Sequence, residues 1–313
     1  MLKNPLKRWG VCDIIKLIKT EGEAMFIDML GNKRYKINLH THTRRSDGRV
    51  SAWVAARAYR EAGYDAIAVT DHWKAGMGEE LDGLPIIPGV EYNIGVDPAE
   101  SYVYHILSLF HDRDPMVIKK EDDPQTCIDK IIAAGGIPVL AHPAWSLNDP
   151  AKASELRGIE FTEIYNTVSG KHASNRPYSG SFVDLSACRG KFYGLFASDD
   201  THYYDGDETV AAIMVKADTG SFADLKKAIL AGDFYATTGP EVHAFVENGR
   251  VEVRCSPCVE INVFTNSVWA KGHHSEGACL TRASVELTKV DKFVRVEVVD
   301  KDGGTAYTNF IML

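Results

Sequence analysis

From residue 36 to about residue 238 the chain alternates short apolar runs with helix-patterned stretches, and beyond Gly239 that alternation stops. "RYKINLH" reads as a strand, and "SAWVAARAYREAG" as a helix with Ser51 as N-cap and Gly63 as its stop. "YDAIAVTDH", "LPIIPGVEYN", "SYVYHILSLF", "IPVLAHP", "IEFTEIYN", "KFYGLFASDD" and "TVAAIMVKA" read as further strands. Helices are expected over "PQTCIDKIIAAGG", opened by Pro124, and over "SFVDLSACRG" and "SFADLKKAILAG". Repeated strand-helix units imply an α/β domain on a parallel sheet, closed or open. After "YATTGP" the pattern is all β. "VHAFVENGRVEVRC" is a hairpin turning at Asn248-Gly249, and "VEINVF", "ASVELTK" and "FVRVEVVD" alternate as half-buried antiparallel strands do. The expected division is an N-terminal extension over 1–35, an α/β domain over 36–238 and a small β-sandwich module over 239–313.

The length, 313 residues, suits a large domain plus a small one, and 45% hydrophobic residues are ordinary for a chain that buries a core. A net charge of -8 argues against a coat for duplex nucleic acid. No apolar run spans a membrane, and the charged N-terminus lacks a secretory core, so a cytoplasmic protein is expected. Val11, Ile14, Ile15 and Ile18 have helical spacing. The cysteines at 12, 127, 188, 255, 258 and 279 are scattered and expected to be reduced, with the "CSPC" pair read as packed strand residues rather than zinc ligands.

Ligand-type residues recur where the strands end. His40 and His42 close the first strand in "NLHTHTRRSDG", one residue apart and so on one face. Asp71-His72 follows the second, Glu91 the third and His142 a later one; His105 sits in "YVYHILSLF", and Asp200 and His202 follow "GLFAS". In a parallel α/β barrel the C-terminal ends of the strands converge on one face. Buried polar groups need partners, and a mixed imidazole and carboxylate set suits zinc, manganese or iron.

At these residues the sequence resembles the PHP family, the polymerase and histidinol phosphatase superfamily. "HTHTRRSDG", "TDH", "GVE", the histidine of "YVYHILSLF", "AHP" and "DDTH" stand in that family's order. The β-rich tail resembles the appended module of the branch that includes carbaryl-hydrolase-like metallohydrolases. The resemblance implies a distorted seven-stranded (β/α) barrel with two or three divalent metal ions. It implies that His40, His42, Glu91 and Asp200 hold one ion, that Glu91 bridges to a second held by His105 and His142, and that Asp47, His72 and His202 hold a third. Asp200, rather than Asp199, has the D-x-H spacing to His202. Asp71 is expected to orient His72 or cap the following turn rather than ligate metal.

The implied activity is a metal-dependent phosphoesterase acting on a small phosphorylated substrate, with Glu91, Asp200 and His172 as catalytic candidates. His172 is a candidate proton donor or substrate contact, and His111 a candidate substrate contact. Arg44, Arg45, Lys171 and Arg176 are candidate phosphate contacts, since guanidinium and ammonium groups match phosphate oxygens. His243, His273 and His274 are read as solvated. The competing readings are a carboxylic-ester, carbamate or amide hydrolase on the same metals, and a metal-loaded binding module without turnover.

Overall fold

The computed structural model describes residues 26–95, 103–115 and 117–313. The helix expected around Val11–Ile18 lies outside the described residues. In chain order the strands are β1 (Phe26–Ile27), β2 (Lys33–Asn38), β3 (Ala66–Ala68), β4 (Glu79–Leu81), β5 (Leu84–Ile87), β6 (Gly89–Ile94), β7 (Tyr104–Leu109), β8 (Ile137–Leu140), β9 (Phe161–Asn166) and β10 (Gly194–Ser198). They continue as β11 (Ala212–Lys216), β12 (Phe234–Thr237), β13 (Val242–Glu247), β14 (Arg250–Thr265), β15 (His274–Glu286), β16 (Phe293–Val299), β17 (Thr305–Tyr307) and β18 (Ile311–Met312). The α-helices are α1 (Ala52–Glu61), α2 (Pro124–Ala133), α3 (Pro150–Ser154), α4 (Gly180–Cys188) and α5 (Phe222–Leu230). A single π-helical turn covers Ser169–Ala173.

Local chemistry sets these boundaries. The Ser51 hydroxyl accepts from the Val54 N–H at the start of α1, and the Asp123 carboxylate accepts from Gln125 and Thr126 beside Pro124 at the start of α2. The turn between β13 and β14 places Asn248 and Gly249 at φ 52° and 74°, as a tight hairpin requires. None of the helices among the described residues is long and apolar enough to cross a membrane.

The architecture is mixed α/β on two sheets. In the first sheet β2, β3 and β5 are parallel, while β11 and β12 extend it antiparallel from β2. The second runs β10-β9-β8-β7-β6, with β8, β9 and β10 parallel and β6, β7 and β8 antiparallel. The expected parallel sheet is therefore mixed. The described strands also do not close into a seven-stranded barrel. The sheets approach each other at two isolated bridges, Thr41 with Thr201 and His72 with Glu91. At these seams the chain leaves the ladder to turn ligand-type side chains inward, so hydrogen-bonded pairing cannot run on. Gly89 allows the close crossing, because a Cβ there would lie 2.7 Å from the Val69 carbonyl oxygen.

The C-terminal strands do not form a free-standing sandwich either. β12 pairs with β17, and the path continues through β16 and β14 to β13, so they extend the first sheet. The main apolar core lies around β2, β6 to β10 and α2, and a second one, containing Val251, Val253, Ile261 and Val296, underlies the C-terminal strands. Cys255 and Cys258 pack in the latter as free thiols 3.5 Å apart, whereas Cys279 is disulfide-bonded, against expectation. His243 and His273 are buried rather than solvated: β13 lies against the β1–β2 turn, where His243 Nε2 meets Glu241 Oε1 at 2.6 Å.

A buried ionic cluster ties β16 to the first domain. Arg295, 1% exposed, donates through Nε and Nη2 to the two oxygens of Asp184 in α4, at 2.6 and 2.8 Å. It also pairs with Glu297, which accepts from the Tyr178 hydroxyl. Removing one partner of a buried pair strands the other charge. Arg295→Ala is expected to destabilise the protein by about 3 kcal/mol, read as a lowered urea midpoint. An unchanged midpoint would show that solvent reaches these carboxylates.

Candidate metal centre

The nine sequence-derived ligand candidates converge on one locus. His40 and His42 follow β2 and are fully buried; seven others, Asp47, His72, Glu91, His105, His142, Asp200 and His202, line a single cavity of about 220 Å³. His40 Nε2 lies 3.1 Å from His42 Nε2, 3.2 Å from Glu91 Oε2 and 3.1 Å from Asp200 Oδ1. His42 Nε2 lies 3.0 Å from Glu91 Oε2 and 3.1 Å from Asp200 Oδ1. Metal–ligand bonds of about 2.0–2.1 Å in a tetrahedron put ligand atoms roughly 3.3 Å apart. The four side chains thus have the spacing of a first coordination sphere.

Glu91 carries the set onward. Its Oε1 lies 2.7 Å from His105 Nδ1 and 3.3 Å from His142 Nε2, giving a second group of donors around the same carboxylate. A third group forms above it. Asp47 Oδ1 lies 3.3 Å from His42 Nδ1, and Asp47 Oδ2 lies 3.7 Å from His72 Nε2 and 3.5 Å from His202 Nε2. Asp200 Oδ1 and His72 Nδ1 are buried and make no well-aligned hydrogen bond, although His40 and His42 stand 3.1 Å from the first and Glu91 3.4 Å from the second; a cation between them would satisfy these atoms. The residues present therefore fit two or three divalent ions, and the donor types suit zinc, manganese or iron.

Neighbouring groups fix which nitrogen of each ring faces the centre. Glu163 Oε1 stands 2.8 Å from His40 Nδ1, leaving Nε2 for the ligand role. Ser146 Oγ stands 3.1 Å from His142 Nδ1, and the Asp200 carbonyl 2.6 Å from His202 Nδ1. Glu163 also accepts from the His142 N–H and from Asn166 Nδ2. It was not among the sequence candidates, and it lies inside a predicted strand instead of ending it. Asp71 accepts from the N–H and hydroxyl of Thr43 and from the Ser46 hydroxyl, so it holds the turn that carries Asp47. That turn needs Gly48, because a Cβ there would lie 2.4 Å from the His42 carbonyl oxygen. His142 and Asp200 adopt φ of 28° and 54°, a left-handed backbone that turns each side chain inward at some cost in strain.

Asp199 faces away from the centre. It accepts from Tyr59, Thr167 and the Ala211 N–H, and burial pushes its carboxyl up to about 7. His172 lines the cavity from the π-helical turn, with Nε2 2.6 Å from Asp205 Oδ1. The four cationic candidates are not brought in. Arg44 and Arg45 donate to the carbonyls of Arg49 and Ala75, Lys171 donates to that of Asp205, and Arg176 is exposed; none lines the cavity. His111 is buried between Ser108 and the Gly76 carbonyl and ties a loop in place instead of meeting the cavity.

The electrostatics of the cluster make metal loading proton-linked. Burial works against charging His40, but Asp200, Glu91 and Glu163 outweigh it and raise its pKa to about 10. Burial likewise opposes charging His42, which Asp200, Asp47 and Glu91 raise well above the imidazole range. Their folded-state pKa values exceed the unfolded ones, so the protonated pairs stabilise the metal-free protein at and below neutral pH and fade as pH rises toward 10. A cation must displace those protons. Calorimetry at pH 7 in buffers of differing ionisation enthalpy is expected to show proton release on metal addition and weaker binding at pH 6; buffer-independent heats would contradict this. Glu163→Ala is expected to lower metal affinity about 10- to 100-fold in a folded protein, measured by competition with a chelator. Unchanged affinity would remove Glu163 from the site's support.

No protein-family profile matches the sequence, and no curated protein matches it. Solved structures do. A two-domain protein from Bacteroides vulgatus, described as containing a PHP-like metal-dependent phosphoesterase, superposes with a TM-score of 0.54 at 16% identity, over 94% of this chain and 100% of that one. An amidohydrolase from Chromobacterium violaceum bearing sulfate and no metal gives a TM-score of 0.36 at 17% identity, over 55% and 89%. A Bifidobacterium adolescentis protein described as a metal-dependent phosphoesterase gives 0.40 at 16%, over 53% and 87%. In fold, this chain is similar to the two-domain Bacteroides vulgatus protein, whose description names the PHP-like family that these ligand motifs resemble.

Proposed function

We propose that the protein is a metal-dependent hydrolase of small phosphate esters. One observation carries the reading: a buried carboxylate, Glu91, is shared between separate imidazole groups at the floor of a small cavity. His40, His42, Glu91 and Asp200 would hold one ion, Glu91 with His105 and His142 a second, and Asp47 with His72 and His202 a third. Ions bound there make water acidic enough to ionise near neutral pH and place positive charge beside phosphoryl oxygens.

The chain's own groups do the rest. Glu163 and Asn166 keep His40 and Asp200 aimed at the reaction centre. Val168 and Trp145 supply apolar surface to the cavity wall. His172, at the cavity wall with Nε2 2.6 Å from Asp205 Oδ1, would be the group that donates a proton to the leaving oxygen.

A second reading, hydrolysis of a carboxylic ester, carbamate or amide, is favoured by a different observation. Among the described residues no lysine or arginine lines the cavity, so no fixed cation awaits a phosphate. Protein reconstituted with manganese, zinc or iron, with metal measured on the same sample, is expected to hydrolyse 4-nitrophenyl phosphate faster than 4-nitrophenyl acetate. The reverse order would establish the second reading, and loaded protein without turnover a binding module. His172→Ala is expected to cost about 100-fold or more on an alkyl phosphate and little on 4-nitrophenyl phosphate, whose leaving group needs no proton. Equal losses on both would exclude His172 as the donor.

A further inference from the structure

We propose that the cavity selects esters whose organic part is a single aromatic ring. This rests on reading the cavity as the substrate site of a hydrolase and specifies the end of the substrate that does not react. Setting aside the metal-type ligands, the lining consists of Trp145, Val168, Ser169, His172 and Tyr203. Among the described residues that wall contains no lysine or arginine, no amide side chain and no further carboxylate. A sugar, an amino acid or a dicarboxylate would bring several hydroxyl or charged groups against a wall whose only polar side-chain groups are those of Ser169, His172 and Tyr203, too few to pair them all, which costs affinity. A flat apolar ring needs only what the wall offers, aromatic surface and a branched aliphatic side chain.

Both aromatic side chains are fixed by the protein. Trp145 follows His142 by three residues and packs edge-on against His105 at 5.5 Å and His142 at 5.0 Å between ring centroids. Tyr203 lies against the His172 ring at 4.3 Å, the Arg49 guanidinium sits 4.7 Å from its centroid, and its backbone N–H is held by Asp207. Rings already held in place lose little freedom when they contact a ligand. Size sets the limit. The cavity, about 220 Å³, is smaller than the roughly 300–1,000 Å³ of most small-molecule pockets, which favours a single ring beside the reacting group.

The test separates ring recognition from turnover. Benzylphosphonate and propylphosphonate cannot be hydrolysed at the P–C bond and differ chiefly in the ring. With the full, manganese-loaded chain, calorimetry is expected to show benzylphosphonate binding about tenfold more tightly. Trp145→Ala and Tyr203→Leu are each expected to shrink that preference severalfold with metal content unchanged, and Trp145→Phe to keep most of it. Tyr203→Leu serves alone should Trp145→Ala not fold. Equal affinities in the unmodified protein, binding of neither phosphonate, or a preference unchanged in both variants would overturn the proposal. Ring preference without turnover of any ester would refute the hydrolase reading and leave this inference standing. Turnover of benzyl and propyl phosphates at equal kcat/KM, with equal phosphonate affinities, would do the reverse.

Discussion

The structure is organised around the Glu91 carboxylate. It is 1% exposed, and five imidazoles lie within 3.4 Å of its two oxygens: His40, His42 and His72 on Oε2, His105 and His142 on Oε1. Burying a carboxylate is costly unless opposite charge surrounds it. Burial pushes its pKa up, but His40, His105 and His72 prevail and hold it well below the usual carboxylate range. Those rings come from β7 and from the loops after β2, β3 and β8, so no local segment could satisfy it. The sheets must bring distant chain ends to one point, and they separate where those ends turn inward.

Support for this centre is layered. Glu163 holds His40 and the His142 backbone, Asn166 links Glu163 to Asp200 through Nδ2, and Asn166 Oδ1 accepts from the N–H and hydroxyl of Ser169. Ser169 opens the π-helical turn that carries His172. One chain of hydrogen bonds thus runs from the deepest ligand to the cavity wall. Disturbing Asn166 would affect both, because its amide is the joint between them. The left-handed backbones of His142 and Asp200 persist because packed strands and these bonds hold them.

How much of this was legible follows from what a sequence encodes locally. The ligand residues stood out because the same event, a strand ending in His, Asp or Glu, recurs along the chain, and such recurrence is hard to attribute to packing. Glu163 lies inside the strand "IEFTEIYN" instead of ending it, and its partner His40 is 123 residues away, so no local signal marks it. Strand pairing was less readable. An apolar run such as "YVYHILSLF" looks alike in a parallel or an antiparallel ladder, and alternation in β16 reports a half-buried face without naming the neighbour. The C-terminal strands therefore read as a separate sandwich, although β17 pairs with β12. Charge alone suggests phosphate contacts, whereas Arg44 and Arg45 each donate to a backbone carbonyl of a nearby loop and stand outside the cavity lining.

Among the described residues no lysine or arginine lines the cavity, and this has a thermodynamic consequence. The same nitrogens and carboxylates bind protons in the metal-free protein and would bind cations in the loaded one. An anionic ester would find attraction only where cations have replaced protons, since the wall, among the described residues, supplies no permanent positive side chain. Metal and anion then favour the same state, and by linkage each must strengthen the other's binding by the same factor. A fixed arginine would weaken that dependence by giving the anion a partner in either state. Such a wall would couple the affinity for an anionic ester to metal occupancy, and proton competition at His40 and His42 would make both depend on pH in the same direction.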